Sequence, residues 1–157
     1  LMNNIIETPY LFKSHIRKHY NGDIPAETTL LHVGNYCQEI PTSVEDLELV
    51  SPSWPTHYVN NLMKLKKLKI TSCYTYFTFT EDTVQQLQNL QSLCLQKFWI
   101  HEKSIQLLGN LVSLKELMIF DSLVEDFAFI NKLKLNKFGC TMYKQNQLDP
   151  VSERNQI

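Results

Sequence analysis

The sequence predicts an α/β fold: a solenoid of about six short units, with a parallel sheet on its concave side and an N-terminal helical cap. Three observations predict it. First, one phrase recurs. Leu62, Leu65, Leu68 and Ile70 follow Asn61, and Leu111, Leu114, Leu117 and Ile119 follow Asn110. Between them Leu87, Leu90, Leu93 and Leu95 keep the same offsets. Each copy begins with steps of three, which suit a helix or loop edge, and ends with a step of two, which suits a strand. Second, two shorter copies upstream agree at five anchors: Ile24 with Ile40, Pro25 with Pro41, Thr28 with Val44, Leu31 with Leu47 and Val33 with Leu49. Third, 157 residues with 43% hydrophobic and 20% charged side chains fit one ordinary globular domain.

The elements follow in order. Thr8-Pro9 reads as a helix start, a capping residue before Pro at the first helical position. Tyr10, Leu11, Ile16 and Tyr20 share an apolar side, Lys13, Arg17 and Lys18 face water, and Asn21-Gly22 stops the helix. Residues 1–23 are therefore the expected cap over the first strand, and 24–143 the solenoid. The two short units have no room for a helix, so Pro25 and Pro41 are expected to hold extended segments there. Later units lengthen, and the added text is helical. Thr80-Glu81-Asp82-Thr83-Val84 has a capping residue and acids in the first turn. His101-Glu102-Lys103-Ser104-Ile105 parallels it. The alternating stretch Tyr74–Thr80 reads as an extra strand or an extended convex segment. The last unit is degenerate: Leu135, Phe138 and Cys140 keep the offsets, but Lys132 takes the first anchor. Residues 144–157 are polar and read as a tail or linker.

Composition excludes several classes. A net charge of −1 gives no basic footprint for nucleic acid or an anionic membrane. No apolar run approaches the roughly 18 residues that cross a bilayer. Four glycines leave no familiar phosphate loop. Cys37, Cys73, Cys94 and Cys140 form no C-x-x-C pair and no terminal cluster, which points to a reduced, cytoplasmic setting.

Residues 24–143 resemble the leucine-rich-repeat superfamily, on the repeated L-x-x-L-x-L phrase. Leu65-Lys66-Lys67-Leu68-Lys69-Ile70-Thr71-Ser72-Cys73 is similar to the style of intracellular immune receptors and F-box proteins of that superfamily. Ile40-Pro41-Thr42-Ser43-Val44-Glu45-Asp46-Leu47-Glu48-Leu49 is similar to FNIP-type repeats and short-repeat bacterial effectors. At the position where the family carries Asn or Cys only Cys73 conforms; Tyr36, Pro52, Phe98, Ser122 and Tyr143 fill the equivalent places. The resemblance implies a non-catalytic recognition module, or the recognition segment of a larger ubiquitin-ligase adaptor, immune sensor or host-directed effector. A structural scaffold segment is the alternative. The missing initial Met and the polar end agree with a piece of a longer chain, whose remainder is then an expected partner.

In such a sheet the anchors point inward and the residues between them outward. The expected central column is His32, Glu48, Lys69, Cys94, Met118 and Gly139. The column before it is Leu30, Asp46, Lys67, Ser92, Glu116 and Lys137. The column after it is Gly34, Val50, Thr71, Gln96, Phe120 and Thr141. Exposed apolar groups beside charges suit a protein-binding face, so Asp46, Glu48, Lys67, Lys69, Cys94, Met118 and Phe120 are the expected partner-binding residues. The bland reading is that Glu48 and Lys69 simply pair across neighbouring strands.

Chemical candidates are few. His15 and His19 have a spacing that could place two imidazoles on one metal, but no third ligand is evident. His101-Glu102 lacks the second His of H-E-x-x-H. Cys94 would need a positioned base to act as a nucleophile, and none is expected near it. Lys64, Lys66, Lys67 and Lys69 read as a solvated face beside Asp46 and Glu48. Trp54 and Trp99 are expected to be wedged at loop-to-strand junctions; an exposed Trp would be a binding anchor. No enzyme activity, cofactor or metal is expected.

Overall fold

The computed structural model describes residues 30–34, 40–50 and 62–143. The expected N-terminal cap with His15 and His19, the segment holding Trp54 and His57, and the polar tail lie outside the described residues. The elements are β1 (Leu30–Gly34), β2 (Asp46–Val50), β3 (Lys67–Phe77), α1 (Glu81–Gln86), β4 (Ser92–Ile100), α2 (Glu102–Leu108), β5 (Glu116–Val124), a 3-10 helix (Ala128–Lys132) and β6 (Lys137–Met142). The six strands form one open sheet in chain order, and every neighbouring pair is parallel. The chain is thus α/β, with short helices on the returns between its later strands.

The recurring phrase explains the stacking. Leu68, Leu93 and Leu117 lie opposite one another on adjacent strands, as do Ile70, Leu95 and Ile119. All six are buried, together with the preceding anchors Leu62, Leu65, Leu87, Leu90, Leu111 and Leu114. Each such side chain contributes about 1.5–3 kcal/mol by leaving water. The step of three before each strand is a tight turn: the N–H groups of Leu65, Leu90 and Leu114 each donate to the carbonyl three residues back at 3.0 Å. Each unit is then tied to the one before it by a shared acceptor. The Glu45 carbonyl accepts from Lys66 and Lys67 N–H, that of Lys66 from Gln91 and Ser92, that of Gln91 from Lys115 and Glu116, and that of Lys115 from Asn136 and Lys137. Polar backbone that the turn would strand is satisfied by the neighbour.

β3, β4 and β5 run further than the leucine phrase predicts, and the Tyr74–Thr80 stretch supplies part of the excess. Thr75, Tyr76 and Phe77 continue β3 beside Phe98, Trp99 and Ile100. Each long strand turns a corner at one residue in the left-handed region: Tyr74 (φ 59°), Lys97 (φ 62°) and Asp121 (φ 49°). Such a residue costs about 1–3 kcal/mol unless its surroundings hold it. Here the Tyr74 hydroxyl donates to Asp121 Oδ2 at 2.7 Å and the Asp121 N–H donates to Thr141 Oγ1 at 2.9 Å.

The corner resets the alternation of side chains. Inward positions pass from Leu93 and Leu95 to Phe98 and Ile100, and from Leu117 and Ile119 to Ser122 and Val124. β3 carries two extra residues there, since Thr71 faces Gln96 but Thr75 faces Phe98. Ser72 is consequently buried and Cys73 exposed, whereas Phe98 and Ser122, the counterparts of Cys73 in the later units, are buried.

α1 starts as its sequence predicts, with the Thr80 hydroxyl accepting from Thr83 N–H at 3.2 Å. α2 has His101 at its cap with no side-chain hydrogen bond to the helix; the Glu125 carboxylate of the next unit accepts the Glu102 N–H at 3.2 Å instead. In the last unit the anchor reading fails for Phe138. It is 42% exposed, because β6 is an edge of the described sheet, and its ring meets Phe127 edge-on at 6.2 Å.

Candidate recognition surface

The three expected columns form in register. Leu30, Asp46, Lys67, Ser92, Glu116 and Lys137 lie side by side, as do His32, Glu48, Lys69, Cys94, Met118 and Gly139. The third column holds from Gly34 through Val50, Thr71 and Gln96 to Phe120, where the register shifts before β6.

The expected partner-binding residues differ in what they can offer. Lys67 and Lys69 are exposed; Asp46, Glu48, Cys94, Met118 and Phe120 are half-buried. Lys69 Nζ lies 3.7 Å from Glu48 Oε1, so these two largely answer each other, at about 0.2–1 kcal/mol for an exposed pair. Lys66 pairs with Glu45 at 3.3 Å, which breaks up the basic run. Met118 lies across the neighbouring strand: a Cβ on Gly139 would meet its Sδ and Cε at 2.9 Å and Phe120 Cε1 at 3.8 Å. Glycine at 139 thereby lets an apolar patch of Met118 and Phe120 lie flat over β6.

Burial pushes the Cys94 thiol up, with Glu48 adding to the rise and Lys69 opposing it. A thiol so placed stays protonated near neutral pH, the opposite of an activated nucleophile. Burial raises Cys140 as well. Among the described residues no three His, Cys, Asp or Glu side chains come together as a metal site would require. None of the described helices is long and apolar enough to cross a membrane.

A second cluster stands beyond the corner. Tyr76, Trp99 and Leu123 form an outward row on β3, β4 and β5. The Tyr76 ring meets Trp99 edge-on at 5.2 Å and stacks on His101 at 4.6 Å with 10° between planes. His101 Nδ1 lies 3.4 Å from Glu125 Oε1. With Ile100, these residues line a pocket of about 140 Å³. Sequence reasoning placed Trp99 at a junction and His101 at a helix start, without joining them. The corner at Lys97, which turns Phe98 inward and Trp99 outward, is the missing step. The Tyr74–Thr80 alternation was its one visible trace.

At the corner itself, the hydrogen bond to Asp121 raises Tyr74 from 10.0 to about 12, aided by burial and the Asp121 charge. The neutral phenol is the favoured form. The bond's contribution to stability is therefore full below the ordinary tyrosine value and falls away as pH rises through about 12. In an ultraviolet tyrosinate titration, the component lost in Tyr74→Phe should move down toward the ordinary value in Asp121→Ala. A component that stays in place would refute this coupling.

Comparison of the chain with protein-family models, with curated proteins and with solved structures yields no match.

Proposed function

We propose that the chain is a leucine-rich-repeat-type solenoid and that its outward sheet face recognises another protein, without a catalytic step. One observation carries the reading: strands of different sequence hold their outward residues in common columns, and at one end Met118 and Phe120 lie as an apolar patch over Gly139. Glu116 and Lys137, side by side in the neighbouring column, flank that patch. In such a face a few apolar anchors supply most of the binding energy and rim charges set orientation and encounter rate. Met118 and Phe120 are the anchors. Lys67 and Asp46 orient the partner, Cys94 fills space between, and the Glu48–Lys69 pair adds little beyond register. A cytoplasmic setting, no use of nucleic acid or membrane, and service as the recognition part of a larger adaptor, sensor or effector belong to the same reading.

The test is the double variant Met118→Asp with Phe120→Asp. Both side chains face outward, so folding stability should change by about 1 kcal/mol or less. Capture of protein partners on the immobilised chain should be lost. Undiminished capture, or unchanged assembly of the chain with its neighbours, would reduce the face to a structural spacer.

A further inference from the structure

We infer that the pocket of Tyr76, Trp99, His101, Leu123 and Glu125 binds a compact alkylated ammonium group, the head of a trimethyllysine side chain on a protein partner. This site lies past the corner, on different residues from the face proposed above, and its test is independent of that reading.

Three features carry the assignment. The first is ring geometry. Tyr76 and Trp99 meet edge-on at 5.2 Å, so their rings lie on different planes about one small space. The imidazole of His101 stacked on Tyr76 holds the phenol in place. Aromatic faces attract a cation through their quadrupole, most strongly where water is excluded. The second is charge. Glu125 is the acidic lining residue, and no Lys or Arg lines the pocket. Its carboxylate is held rather than free to swing, since Oε2 accepts the Glu102 N–H at 3.2 Å and Oε1 faces His101 Nδ1 at 3.4 Å. The third is size and lining. A volume of about 140 Å³ is well below the roughly 300–1,000 Å³ of sites for drug-sized molecules. Such a space takes one head group. The apolar walls of Ile100 and Leu123 suit methyl groups better than a strongly hydrated primary ammonium.

Charge also selects the source of that head group. Glu102 and Asp126 stand beside Glu125, both exposed. A choline phospholipid would bring its phosphate against these carboxylates, whereas a modified lysine brings none. The occupant is thus a protein side chain rather than a lipid surface.

The test uses a short peptide with one trimethyllysine, titrated onto the whole chain. The readout is the indole N–H resonance of Trp99, identified as the one lost in Trp99→Phe. The resonance should shift and saturate. The same peptide with the neutral isostere, carbon replacing the quaternary nitrogen, should bind about tenfold more weakly. Glu125→Gln and Tyr76→Leu should each weaken the charged peptide several-fold, and Glu125→Gln should leave the neutral one unchanged. Equal binding of the two peptides would make this a plain apolar pocket and overturn the proposal. So would a Trp99 resonance that does not move, or phosphocholine binding as tightly as the peptide. The chain has two tryptophans, so Trp54→Phe, which keeps the Trp99 resonance, assigns it as well, and the comparison of the two peptides then needs no variant in the pocket.

Discussion

Phe98→Ala should cost about 3–5 kcal/mol of folding stability, read as a fall in the urea midpoint with little change in slope. Phe98 is fully buried just past the corner of β4. Its ring meets Phe77 edge-on at 5.3 Å, and Phe79 stacks on Phe77 at 5.4 Å. Truncation would empty one end of this aromatic row and leave the edge of the Phe77 ring without its partner. The space cannot close easily, because Phe98 is held between β3, where it pairs with Thr75, and β5, to which Ser122 ties it. The loss is a large share of the total stability of a domain this size. The neighbouring Trp99→Ala is the control. Trp99 faces outward and is half-buried, so its removal should cost much less and should instead open the pocket at Tyr76. If the two substitutions cost the same, the corner does not divide inside from outside as described.

That contrast marks the boundary of what could be read from residues alone. The register of the six strands was legible, because each strand repeats one hydrophobic phrase and a slip of one residue would turn every leucine out. The outward columns at Glu48, Lys69, Cys94 and Met118 came with it. What was not legible was the parity change at Tyr74, Lys97 and Asp121. None of these is a glycine; Asp is among the residues that favour the left-handed region, but Tyr and Lys are not, so nothing at 74 or 97 marks the corner. The repeat spacing put Phe98 at the place where the resembled family carries Asn or Cys, and Trp99 at a junction, but nothing in it aimed Trp99 outward. The aromatic pocket stayed invisible for the same reason: its rings come from three strands, and the register that joins them passes through the corner. Cys73 differs from its counterparts Phe98 and Ser122 for a related reason, since two extra residues in β3 put Ser72 in the interior instead. Phe138 kept the anchor spacing but not its burial, because an inward position needs a further layer to cover it. The turns Leu62–Leu65, Leu87–Leu90 and Leu111–Leu114 gave no such trouble; they keep the same geometry unit after unit.

Ser122→Ala should cost about 1–3 kcal/mol, although it removes a single oxygen. Ser122 is fully buried. Its hydroxyl donates to the Phe120 carbonyl at 2.8 Å and accepts the Phe98 N–H at 3.0 Å. The second bond is the costly one to lose. Between the pairs Gln96–Phe120 and Trp99–Leu123 the ladder is interrupted by the left-handed residues Lys97 and Asp121. The serine oxygen stands in for the strand carbonyl that the corner takes away. Alanine would leave the Phe98 N–H buried without an acceptor, and no small movement of β5 restores one. The amide of Phe98 should exchange with solvent faster in Ser122→Ala, while the amides of Leu93 and Leu95 keep their protection. The interior Ser104 performs the same service for Phe79 N–H, also at 3.0 Å. Ser104 and Ser122 share no partner, so the two alanine substitutions should add to within about 0.5 kcal/mol. A cost near zero for Ser122→Ala, with unchanged exchange at Phe98, would mean that water or a backbone shift satisfies the corner. The outward aim of Trp99 would then rest on packing alone.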